Sequence, residues 1–82
     1  MKQKTLTIKT QAGLHARPAA LFVQEAARFT SKIVVRKDEK EADARSILGV
    51  LSLGAGHGAV ITICADGEDE EEALERLCSI LS

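Results

Sequence analysis

Aromatic residues are almost missing from this chain: its 82 residues include two, Phe22 and Phe29, and no Trp or Tyr. Proteins that stack nucleobases need exposed rings, and a formal net charge of −1 supplies no basic field for a phosphate backbone. Direct nucleic-acid binding is therefore not expected. No apolar run approaches the ~18–20 residues that cross a bilayer, so no membrane insertion is expected. Cysteine is scarce as well. Cys64 and Cys78 form no C-x-x-C pair, and together with His15 and His57 they show none of the spacings of a zinc site. No metal or other cofactor is expected. The N-terminus lacks a leader of charged, apolar and small-residue regions, which fits a cytoplasmic protein with reduced thiols.

What is present is aliphatic. Hydrophobic residues make up 45% of the chain, enough for a single core. At this length only about 60–65% of the unfolded surface can be buried, so one domain spanning 1–82 is expected. Leu6 and Ile8 alternate with Thr5, Thr7 and Lys9, which predicts a first strand over about 4–9. Ala19, Phe22, Val23 and Ala26 follow helical spacing and predict helix one over about 16–28. The β-branched run at 31–37 predicts strand two, with Ile33 and Val35 inward. Residues 38–40 turn the chain into a short third strand at 41–43, and the charges between 36 and 43 read as a solvated hairpin. Ser46 and Gly54 read as the cap and the residue just past the end of helix two, over about 47–53. A glycine-rich loop with a solvated His57 leads to the strongest strand, at 59–65. Asp69, with Glu72 three residues on, resembles a capping box for helix three, in which Leu74, Leu77, Cys78 and Leu81 recur at i, i+3, i+4 and i+7. The order β-α-β-β-α-β-α predicts an α+β open-faced sandwich. Its four-stranded antiparallel sheet carries all three helices on one face.

Two stretches carry chemistry. In Gln11-Ala12-Gly13-Leu14-His15-Ala16-Arg17-Pro18-Ala19-Ala20 the chain's only proline suits the first turn of a helix, where its missing N–H costs nothing. It also biases Arg17 away from deep helical geometry. Helix one then begins near His15, whose imidazole lies by unpaired N–H groups that favour an anion. A histidine with an ordinary pKa of about 6.5 is largely neutral and nucleophilic at neutral pH. It is suited to accept a phosphoryl group, with Arg17 offering a planar fork to the migrating oxygens. A capping histidine beside a solvated arginine fits the same residues. Ala16, Ala19 and Ala20 keep the first turn low, either for the approach of another protein or simply as good helix formers. The second stretch is helix two, which is too apolar to face inward all round. Ile47, Leu48 and Leu51 are candidates for a partner-docking patch, the alternative being ordinary core packing.

Gly13-Leu14-His15-Ala16-Arg17-Pro18-Ala19 resembles the active-site signature of HPr, the histidine-containing phosphocarrier of the bacterial sugar phosphotransferase system. Arg45-Ser46-Ile47-Leu48-Gly49-Val50-Leu51-Ser52-Leu53-Gly54 is similar to the regulatory-serine segment of that family. The resemblance spans nearly the whole chain, and the two motifs stand at the family's usual separation. It implies the same fold and a carrier whose chemistry is completed by partners, not an enzyme in its own right. A phosphoryl group would pass from phosphoenolpyruvate through enzyme I to Nδ1 of His15, and on to a histidine of a sugar-specific enzyme IIA domain. Ser46 would be the serine modified by an ATP-dependent HPr kinase/phosphorylase, a mark that promotes binding to a catabolite-control transcription regulator with help from Leu48 and Leu51. A phosphate there would suit a helix N-terminus with Arg45 adjacent. A diffusing shuttle is expected to be monomeric. The alternative is an HPr-like regulatory module that acts through Ser46 and the helix-two surface, as expected of relatives with another residue in place of the active histidine. Many relatives carry an Asn-Gly pair in the hairpin, whereas this chain has no glycine between Thr30 and Gly49, which leaves the turn type at 38–40 open.

Overall fold

The computed structural model describes residues 1–9 and 16–81, with only the backbone described at Ala16 and Arg17. Its elements follow the expected order: β1 (Lys2–Thr7), α1 (Ala16–Ala26), β2 (Lys32–Lys37), β3 (Lys40–Asp43), α2 (Ile47–Ser52), β4 (Val60–Asp66) and α3 (Glu70–Leu81). The strands form one sheet in the order β1-β4-β2-β3 with every pairing antiparallel.

Alternation along β4 shows which side of the sheet is covered. Ile61, Ile63 and Ala65 are buried, while Val60 and Asp66 are exposed. Ile33 and Val35 of β2 join the buried set, as predicted, and Ala42 of β3 completes it. These residues form a single core cluster with Ala19, Phe22 and Ala26 of α1, Val50 of α2 and Ala73, Leu74, Leu77, Cys78 and Leu81 of α3. One cluster shared by all three helices places them on one face of the sheet. Among the described residues no helix covers the other face, where Thr5 and Thr62 share a hydrogen bond at 2.9 Å between neighbouring strands. Cys64 and Cys78 are free, buried thiols. Cys64 lies on the bare face, where its Sγ donates to Oε1 of Gln3 at 3.5 Å.

The departures from expectation have local causes. β1 starts two residues earlier than the alternation suggests, because its register with β4 runs from Lys2 opposite Ala65 to Thr7 opposite Val60 and recruits Lys2 and Gln3, which carry no apolar signal. α1 stops at Ala26, and its last amides tighten to i→i−3 bonds, Arg28 to Glu25 at 3.1 Å and Phe29 to Ala26 at 3.3 Å. Arg17 is helical despite preceding Pro18, so the proline's bias yields to the first turn. Lys37 pairs with Lys40, leaving a two-residue turn in which Asp38 takes φ 56°. Aspartate tolerates the left-handed region well enough to replace the missing glycine.

The capping box at α3 is a correction. The Asp69 carbonyl accepts from Ala73 N–H at 2.9 Å, but the Asp69 carboxylate turns away from its own helix. It accepts the backbone N–H groups of Thr30 at 2.8 Å and Ser31 at 3.0 Å, and also the Ser31 hydroxyl. The reciprocal bond comes from Glu70, whose Oε1 accepts from Gly67 N–H at 3.2 Å, and not from Glu72. Ser31 is fully buried, and Gly67 must be glycine beside it: at φ 156°, a Cβ there would stand 2.6 Å from Ser31 Oγ.

Candidate functional site

α1 packs against α2. α1 begins at Ala16, the residue after His15 in the chain, and Pro18 sits in its first turn, half-buried. His15 itself, with Gly13 and Leu14, lies outside the described residues, as do the side chains of Ala16 and Arg17. Ala20 is half-buried. By helical spacing, Ala20, Leu21 and Gln24 share one side of α1, opposite the stripe of Ala19, Phe22 and Ala26. Leu21 is 46% exposed. Its signal in the sequence is that of a large apolar residue off the buried stripe.

α2 has the expected cap. Ser46 is extended, with φ −102° and ψ 110°, and its Oγ accepts the N–H of Gly49 at 3.1 Å. The helix closes at Leu53, followed by Gly54 at φ 65°, the left-handed exit that glycine adopts without strain. Val50 and Leu53 are buried, while Leu51 is half-buried against the core. Ile47 and Leu48 are exposed, at 40% and 78%. Ile47 and Leu48 thus face solvent, and Leu51 divides its surface between core and solvent.

Charge is partitioned in the same way. Residues 1–24 and 44–65 contain no Asp or Glu, and all twelve acidic residues fall within 25–43 and 66–75. The first turns of α1 and the whole of α2 therefore carry no carboxylate of their own. Arg45 is not turned wholly toward Ser46: its Nη2 donates to the carbonyl of Phe29 at 2.6 Å and to that of Ser31 at 3.2 Å. His57 is exposed. At the far end of α1, Glu25 receives Arg76 at 3.2 Å and Arg28 at 3.5 Å, and the Arg76 bond leads the effects that lower its pKa. Among the described residues no helix is long and apolar enough to cross a membrane.

This fold, with a histidine next to the first residue of α1 and a serine capping α2, is that of a phosphocarrier class, and comparison with known proteins agrees. Residues 2–82 match the family described as the PTS HPr component phosphorylation site. The chain belongs to the HPr family. It is 51% identical over 81 residues to the HPr-like protein Crh of Halalkalibacterium halodurans, covering 99% of this chain and 96% of that one. The crystal structure of the phosphocarrier protein HPr from Bacillus anthracis superposes with a TM-score of 0.96 at 49% identity, covering 99% of this chain and 96% of that chain. A crystal structure of Crh from Bacillus subtilis, which reveals a swapping domain in an intertwined dimer, superposes at 0.78 with 49% identity, covering 99% and 93%. The relatives thus include both carriers named HPr and HPr-like proteins named Crh.

Proposed function

We propose that the protein is a phosphocarrier of the sugar phosphotransferase system, working as a single domain. Nδ1 of His15 attacks the phosphorus held by phospho-enzyme I, a group that originates in phosphoenolpyruvate. The bond to the enzyme I histidine breaks, and the new N–P bond is later broken by a histidine of an enzyme IIA domain. The group is passed on with no net oxidation. Arg17 neutralises charge on the migrating oxygens, and Pro18 sets the first turn so that the helix amides face the same way. Ala16, Ala20, Ile47, Leu48 and Leu51 form the surface on which enzyme I and enzyme IIA dock. Ser46 is a regulatory phosphosite for an HPr kinase/phosphorylase. A dianion beside Ile47 and Leu48 weakens docking of acidic partners and favours a catabolite-control transcription regulator. The carrier works as a monomer in the cytoplasm and is completed by its partners, with no catalytic cycle of its own.

The observation that carries this reading is the sequence His15-Ala16-Arg17-Pro18 at the entry to α1, which begins at Ala16. A second reading is favoured by the 51% identity to Crh and by the exposure of Ile47 and Leu48: a regulatory module that acts through Ser46 and the α2 face without using His15. Incubation with phosphoenolpyruvate and enzyme I, followed by intact-mass measurement, separates them. The carrier gains one acid-labile phosphoryl group and loses it on addition of enzyme IIA, whereas the module gains none. Light scattering of the same sample distinguishes a monomer from an intertwined dimer.

A further inference from the structure

The connection from α1 to β2, residues 27–31, is held from two sides. Its amides face α3, where Thr30 and Ser31 donate to the Asp69 carboxylate. Its carbonyls face α2, where Arg45 Nη2 bridges Phe29 at 2.6 Å and Ser31 at 3.2 Å. Arg45 is itself fixed by the turn into α2. Its N–H donates to Oδ1 of Asp43 at 2.9 Å, and the next amide, Ser46 N–H, donates to the Asp43 carbonyl at 3.0 Å. The side chain therefore spans from the residue before the α2 cap to the connection that follows α1. Both bonds come from one nitrogen, Nη2, which stands one bond farther from the backbone than a lysine ammonium would. In the docking surface proposed above, one half comes from α1 and the other from α2. A partner that touches both halves depends on how the two helices are placed, and the Arg45 bridge is a polar tie between the connection that leaves α1 and the start of α2.

We infer that Arg45 is a positioning residue for docking: by clamping the Phe29 and Ser31 carbonyls it holds α1 and α2 as one surface, and it touches neither partner nor phosphoryl group. This rests on the carrier reading, since the docking partner is enzyme I. The test measures KM and kcat for the chain as acceptor from phospho-enzyme I, at low and high salt, for the parent and R45A, together with amide hydrogen exchange. Loss of the tie is expected to raise KM about fivefold with kcat changed by less than about twofold. It should leave the salt dependence of KM as in the parent and speed exchange at Thr30 and Ser31. R45K, which keeps the charge but ends one bond short of the Nη2 position, should also show a raised KM and serves if R45A folds poorly. An unchanged KM overturns the proposal, as does unchanged exchange at Thr30 and Ser31. A KM restored by R45K, or a flatter salt dependence in R45A, overturns it in favour of a direct charge contact with the partner. If enzyme I does not phosphorylate the parent chain, the carrier reading fails together with the docking role, and the exchange data judge the clamp by themselves.

Discussion

α2 and α3 both begin at a polar residue placed to cap them, and the two residues do different things. Ser46 uses its oxygen on its own helix, on an amide three residues ahead. Asp69 sends its carboxylate to amides 38 and 39 residues away in sequence. The helix that Ser46 caps carries no acid of its own and turns Leu48 outward, 78% exposed. Around Asp69 the surface is acidic and tied: Lys2 bridges to Glu71, and the N-terminal amine lies 3.6 Å from Glu70. A locally closed cap leaves the outer side chains of its helix free to change without consequence for the fold. A cap that reaches across the molecule makes its helix start part of the framework. The first arrangement suits a surface that meets partners, and the second suits one that keeps α1 and α3 in place.

Substitutions on the buried and exposed sides of the same segment sharpen this contrast. Leu53→Ala, at a site 2% exposed, should cost about 2–5 kcal/mol, a large fraction of the total for so small a domain; urea denaturation measures it. At the framework end, Asp69 has its pKa lowered from 3.8 to about 2, chiefly by the Ser31 hydroxyl and the Thr30 amide. A carboxylate with a depressed folded-state pKa contributes stability at pH values above its unfolded pKa, and that contribution disappears as pH falls through the folded value. The parent should therefore lose stability between about pH 4 and pH 2, the window set by these values. Asp69→Asn should be less stable at neutral pH and flatter across that window; an acid limb as steep as the parent's would remove Asp69 from this role. Ser46→Ala should cost about 1 kcal/mol through the lost cap, with the loss confined by hydrogen exchange to α2. Leu48→Asp should move stability by no more than about 0.5 kcal/mol while weakening enzyme I binding in titration calorimetry. Unfolding of that variant would show that the patch supports the core.

Much of this was legible in the sequence because it is periodic. Ile33, Val35, Leu74, Leu77, Cys78 and Leu81 are buried where alternation and helical spacing put them, and Ser46 and Gly54 punctuate α2 as local capping rules require. What was not legible is long-range. The spacing of Asp69 and Glu72 matches a local capping box, and nothing in that spacing reports that Ser31 would arrive next to Asp69 when the chain folds. The Arg45 bridge to Phe29 and Ser31 is hidden for the same reason, since both partners are backbone carbonyls without a residue signature. Leu21 was missed because a single exposed leucine carries no period. In the candidate site, the position of Pro18 and the exposure of Ile47 and Leu48 could be read in advance, whereas the role of His15 rests on the motif and on the family.

That role is tested most directly by the rate of phosphoryl transfer from phosphoenolpyruvate and enzyme I to the parent chain, Arg17→Ala and His15→Ala, followed by intact mass with amide spectra as a check on folding. The account predicts one acid-labile phosphoryl group on the parent, the same product formed more slowly on Arg17→Ala, and none on a folded His15→Ala. Acceptance by His15→Ala at the parent's rate, or no acceptance by the parent, would contradict it.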